Sequence, residues 1–114
     1  MRKVKMRSMK GGWFIGNFEP SVYKTSACEV CYKEHHKGAR WAKHFHTVTE
    51  INYLIAGSME INGELITAGE IFVIEPYEEI KPVFLSDCSL IVVKIPGKLN
   101  DKHEVKNVRQ KKRK

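Results

Sequence analysis

The chain has 114 residues, 42% hydrophobic and 10% aromatic: enough for one domain with its own core, too short for two. No apolar run approaches the roughly 20 residues of a bilayer-spanning helix, and the basic start "MRKVKMRSMK" lacks the apolar stretch of a secretory signal, so the expected compartment is the cytoplasm. The net charge of +7 lies at the ends: residues 1–10 hold five basic side chains and no acid, residues 98–114 eight against two, and the body between them is mildly acidic.

Such a body is not a nucleic-acid-binding surface, which needs a basic face interleaved with aromatic residues. Only the tail "VRQKKRK" could meet phosphates, anionic lipid or an acidic partner, and charge blocks of this kind are ordinarily solvated. Residues 1–10 are read as a basic lead-in, 11–97 as the folded domain, and 98–114 as a disordered basic tail. Beyond Gly97 hydrophobic residues nearly vanish, which places the end of the fold near Pro96.

The body reads as strands and turns. "GWFIGNF" is apolar and glycine-punctuated, and "EPSVYKTS" is a connection. "ACEVCYKEH" alternates, with Cys28, Val30 and Tyr32 on one side. "HKGAR" is a turn that leaves His35 and His36 in solvent. "WAKHFH" and "EINYLIAG" are strands on either side of "TVT". "SMEINGELIT" is a hairpin, because Asn62-Gly63 suits a two-residue type I′ turn between alternating residues. "EIFVIEP" is a short apolar strand, "YEEIKP" a loop, "VFL" a strand, and "SLIVVKIP" the last strand. Short strands at this spacing indicate an all-β sandwich or barrel. Three cysteines, an odd number, argue against a disulfide framework. The Cys-x-x-Cys of Cys28 and Cys31 lies on a strand, where positions three apart face opposite ways and cannot share a ligand.

His44 and His46 share one face of a strand, near enough to converge on an ion. Glu50 has the same parity, but four extended residues carry it too far unless the chain bends back at "TVT". Two imidazoles and one carboxylate with open positions suit Fe(II), Mn, Zn or Ni.

The spacing Gly38-x5-His44-x-His46-x3-Glu50-x6-Gly57 resembles the first motif of the cupin superfamily, and "INGELITAGEIFVIEP" resembles the cupin hairpin, with Asn62-Gly63 at its tip, Gly69 opening the second motif and Pro76 near its end. The resemblance covers roughly residues 28–96. It implies a single-domain jelly-roll β-barrel with a divalent metal ion inside, held by His44, His46 and Glu50. The second motif departs from the family. Tyr77 or Glu78 stands where a glycine belongs, and Ile80 or Lys81 where a histidine supplies a fourth ligand.

The resemblance implies a small polar organic ligand and three classes of function. One is a metal-dependent enzyme such as a dioxygenase. A second is a metal-free sugar or sugar-nucleotide isomerase or epimerase with a histidine as base. The third is a small-ligand binding or sensing module. The residues expected near the ligand are Tyr32, Asn52 and Lys81, with Asn52 also able to orient Glu50. Trp13 and Trp41 fit either core or interface. If Glu50, Asn52 and Leu54 face inward, Ile51, Tyr53 and Ile55 form an apolar outer face that needs cover. Single-domain cupins commonly cover it by pairing, so a homodimer is expected.

Overall fold

The computed structural model describes residues 1–105; the basic stretch 106–114 of the expected tail lies outside the described residues. The strands, in chain order, are β1 (Trp13–Ile15), β2 (Glu29–His35), β3 (His44–Phe45), β4 (Thr49–Ala56) and β5 (Ser58–Ile61), then β6 (Glu64–Thr67), β7 (Ile71–Ile74), β8 (Pro82–Phe84), β9 (Cys88–Ile95) and β10 (His103–Glu104). They form a five-stranded sheet ordered β1-β2-β9-β4-β7, a three-stranded sheet ordered β6-β5-β8, and a β10-β3 pair. The fold is all-β and of jelly-roll type. Leu54, Met59, Ile66, Phe84, Cys88 and Leu90, drawn from both larger sheets, pack together as the core. Among the described residues no helix is long and apolar enough to cross a membrane.

The hairpin forms as the sequence requires. Asn62 and Gly63 have φ of 52° and 83°, the two positive angles of a type I′ turn, and Ile61 pairs with Glu64 across it. Gly57 is the single residue between β4 in the large sheet and β5 in the small one. Its φ is 93°, and a Cβ there would lie 2.3 Å from the Asp87 carbonyl oxygen. The corner between the sheets therefore needs glycine twice over: for its angle and for its room.

Register decides which side of the large sheet is the interior. Glu29, Lys94, Glu50 and Ile74 stand abreast across β2, β9, β4 and β7, and the next inward row is Cys31, Val92, Asn52 and Phe72. The alternate positions, Val30, Val93, Ile51 and Val73 with Tyr32, Ile91, Tyr53 and Ile71, face out. On the β2 side this sheet is polar within and apolar without. That inversion corrects the expectation for Tyr32, whose hydroxyl donates to Glu34 on the outer face. All three cysteines are free, and burial pushes the inward Cys31 thiol up to about 12.

Both expected boundaries shift. Within "WAKHFH" only His44–Phe45 is a strand; the residues before it run beside β8 through single bonds, Gly38 N–H to Phe84 O and Trp41 N–H to Pro82 O. The fold does not end near Pro96. Asp101 is 1% exposed, and β10 pairs with β3 through His103–Phe45 and Glu104–His44. Residues 98–105 thus belong to the domain. They carry only two aliphatic side chains, Leu99 and Val105, and are held chiefly by the buried Asp101 carboxylate and the β10–β3 pairing. The basic lead-in is largely exposed and is tied down where the Arg2 guanidinium donates to Val22 O at 2.7 Å.

Candidate functional site

His44 lies on β3, His46 one residue beyond it, and Glu50 at the second position of β4. Bends at Thr47 and Val48 turn the chain back, so that His46 Nε2 lies 3.5 Å from Glu50 Oε2. The bend is held from outside its own sequence. The Asp101 carboxylate accepts hydrogen bonds from Thr47 N–H at 2.9 Å, Thr47 Oγ1 at 2.6 Å and Val48 N–H at 3.2 Å. All three site residues are buried and line one cavity of about 620 Å³ with Asn52.

The two imidazoles stand nearly perpendicular, their centroids 5.1 Å apart. His44 Nδ1 donates to Ala42 O at 2.9 Å, which leaves its Nε2 as the free lone pair. Burial lowers both imidazole pKa values, and for His46 burial and then the Lys94 charge bring it down to about 4. Both rings are therefore neutral at neutral pH, the state a metal ligand needs. Burial raises the Glu50 carboxyl, opposed by a hydrogen bond to Oε1 from Asn52 Nδ2 at 3.3 Å and by the Lys94 charge. His46 Nδ1 is buried with no hydrogen-bond partner among the described residues.

These donors fit a divalent ion in kind: two neutral imidazoles with unspent nitrogens, and a carboxylate beside one of them. As they stand, no three His, Cys, Asp or Glu side chains among the described residues are grouped closely enough to hold an ion. A bound ion would have to draw the three together. The fourth position is apolar. Tyr77 has a φ of 68°, the left-handed conformation that suits the glycine of the second motif. That places Ile80 in the histidine's position, and Ile80 is buried, bridged to His44 and turned into the cavity.

Lys81 does not line this cavity. It is exposed, its N–H donates to Asn62 Oδ1, and it borders a separate surface pocket. Tyr32 is likewise absent from the lining, whereas Asn52 takes both of its expected positions, in the cavity wall and on Glu50. His36 is exposed, but His35 is not a solvated turn residue: its ring stacks on Phe84 at 4.1 Å and lines the cavity. Trp13 and Trp41 both line it too.

Sequence reasoning missed Lys94, Glu29 and Asp101, all buried. Lys94 had a readable signal, since it shares parity with Leu90 and Val92 on an apolar strand. Asp101 had none.

The sequence matches no family model and no curated protein. The fold matches solved structures. The DMSP lyase DddQ from Ruegeria pomeroyi superposes with a TM-score of 0.64 at 15% identity, over 77% of this chain and 46% of that one. KdgF from a Halomonas species superposes at 0.58 with 24% identity, over 68% and 77%. A cupin-2 domain protein from Shewanella frigidimarina superposes at 0.53 with 18% identity, over 65% and 76%. The chain spans about half the length of the lyase. Double-sheet topology, the glycine corner, the inward histidines and these superpositions agree on one conclusion: the chain has the cupin fold.

Proposed function

We propose that this small cupin holds a divalent metal ion, of the Fe, Mn, Zn or Ni class, on His44, His46 and Glu50, and takes a small polar organic ligand in the same cavity. The observation that carries the reading is the convergence of two neutral, buried imidazoles and a buried carboxylate on one cavity. Such an ion, when bound, supplies Lewis-acid or redox chemistry at the positions three protein donors leave open. The chain's own residues do the rest. Ala42 O fixes the His44 ring, Asn52 steadies Glu50, and Ile80, Phe72 and Val92 supply an apolar stretch of the wall.

Metal content decides it. Protein purified without chelator or affinity tag is expected to carry close to one equivalent of metal per chain, and a His44→Ala/His46→Ala variant none. Absence of metal from the wild type after dialysis against Fe(II), Mn(II), Zn(II) and Ni(II) would sink the reading. A metal-free reading is favoured by one observation, the charge of Lys94, which sits abreast of Glu50 on the neighbouring strand and opposes a cation there. In that case the cavity binds its ligand by hydrogen bonds alone, and a neutral His44 or His46 is the candidate base for sugar-type isomerisation.

We also propose that two copies pair through the outer face of the large sheet. The face is apolar over at least four strands, Ile71 at its β7 edge is 68% exposed, and a surface this apolar is self-complementary about a two-fold axis. Light scattering should return a dimer mass, and Ile71→Glu/Val73→Glu a monomer with an unchanged circular dichroism spectrum. A wild-type monomer at micromolar concentration would remove the idea.

A further inference from the structure

Lys94 is a charged side chain in an unusual place. It is 7% exposed, and its neighbours across the sheet are Glu29 and Glu50, both also buried. Yet among the described residues its amine makes no hydrogen bond and no ion pair; the contact it makes is with the Trp13 ring, 5.2 Å from the centroid. A second amine, Lys33, lies 5.7 Å from the same ring and spends one donor on Gly11 O at 2.7 Å. An ammonium carries three donors, so both retain unspent ones, and all three side chains line the cavity.

The Nζ of Lys94 is open to the cavity rather than sealed in the wall, yet with so little access to solvent the charge still gains from a partner that compensates it. The flanking carboxylates do so only at long range. The other acids on the cavity wall are engaged: Glu19 pairs with Lys24, and Asp101 with the Thr47–Val48 bend and Lys98. The remaining wall beside Lys94 is apolar, formed by Ile74, Val92 and Phe72. A compact body with one anionic end fits both surfaces.

We propose that the cavity contains an anion subsite, formed by the Lys94 and Lys33 amines beside the Trp13 ring, that selects a small organic carboxylic acid with its carboxylate turned toward Lys94. The inference deepens the reading of this cavity as a ligand site and does not require the metal. Lys94 and Lys33 bind and orient the carboxylate; the body of the acid lies along Val92 and Phe72 toward His44 and His46.

The test uses two probes of one shape, cyclohexanecarboxylate and cyclohexanecarboxamide. Binding is followed by titration calorimetry and by the emission of Trp13 and Trp41, both on the cavity wall. The wild type should bind the acid roughly tenfold or more tighter than the amide, the scale of a charge-assisted hydrogen bond. Lys94→Met, nearly isosteric, should bind both alike, and Lys94→Arg should keep the preference. Equal affinity in the wild type, binding of neither probe, or a preference that survives Lys94→Met overturns the proposal. The wild-type comparison alone decides the matter should Lys94→Met fail to fold. Repeating it on the His44→Ala/His46→Ala variant separates the two readings. A preference that persists there sustains the anion subsite whatever the metal result. A preference lost there while Lys94 is intact assigns the anion to the histidine end and overturns the subsite.

Discussion

Asp101→Ala is expected to cost about 3 kcal/mol of folding stability. The carboxylate is the acceptor for two backbone N–H groups and a hydroxyl at the bend between β3 and β4, and it also meets His103 Nε2 at 3.1 Å and Lys98 Nζ at 3.7 Å. Removing it leaves the Val48 N–H unsatisfied in a buried position, at roughly 1–3 kcal/mol for such a group, and more where the lost partner was charged. For a chain of this size each kcal/mol lowers Tm by roughly 4 °C, so a fall on the order of 12 °C should be read by thermal denaturation. The bend sets the approach of Glu50 to His46, so if the proposed ion is bound, its content should fall even in a variant that is still folded at low temperature. An unchanged Tm would show that the Asp101 carboxylate does not hold the bend.

The same carboxyl gives a pH dependence. Burial pushes its pKa up, but the Thr47 hydrogen bonds, the His103 contact and the Lys98 charge outweigh burial, and the net value lies below the usual one for aspartate. A depressed folded pKa means that the unfolded chain takes up the proton first. The stabilisation is complete above the unfolded pKa of about 4 and is lost as pH falls through the lower folded value. Tm of the wild type should therefore drop more steeply on acidification below about pH 4 than Tm of Asp101→Asn.

Gly57→Ala is the second large effect, about 3 kcal/mol or more. Its φ of 93° strains any residue with a Cβ, and that Cβ would overlap the Asp87 carbonyl oxygen at 2.3 Å and Cys88 Sγ at 2.8 Å. One of these neighbours is backbone at the start of β9, so relief requires moving a strand of the large sheet. Gly38→Ala is the control. Its φ is also positive, at 86°, but nothing lies within 4 Å of the added methyl group. It should cost about 1 kcal/mol, the strain alone. Equal losses at the two sites would mean that the corner at Gly57 is not tight.

These two residues also mark what the sequence could tell. Gly57 was legible as the last residue of a motif whose spacing resembles a known one, and its corner explains why glycine belongs there. His44, His46 and Glu50 were legible because strand parity puts two of them on one face and "TVT" lets the third return. Tyr32 was misplaced because β2 carries polar residues on both faces, so alternation could not tell inside from outside. The cavity turned the usual rule over by taking Glu29, Lys33 and His35 inward. Lys81 was a matter of one residue of register, settled by the left-handed Tyr77 and the inward Ile80. Asp101 was invisible because the bend it holds lies some fifty residues earlier, and two of its partners there are backbone N–H groups, which leave no trace in residue types.

That separation has a consequence for the order in which the protein is made. Thr47 leaves the ribosome 54 residues before Asp101. Until then the turn between β3 and β4 has its own sequence but not its acceptor, and the nascent chain can pair β4 with β7 and β5 with β6 without a finished pocket. Contacts this distant along the chain carry a high loop-closure cost. The pocket is thus finished only once a segment that itself contributes little apolar surface has been made and has reached back to the bend.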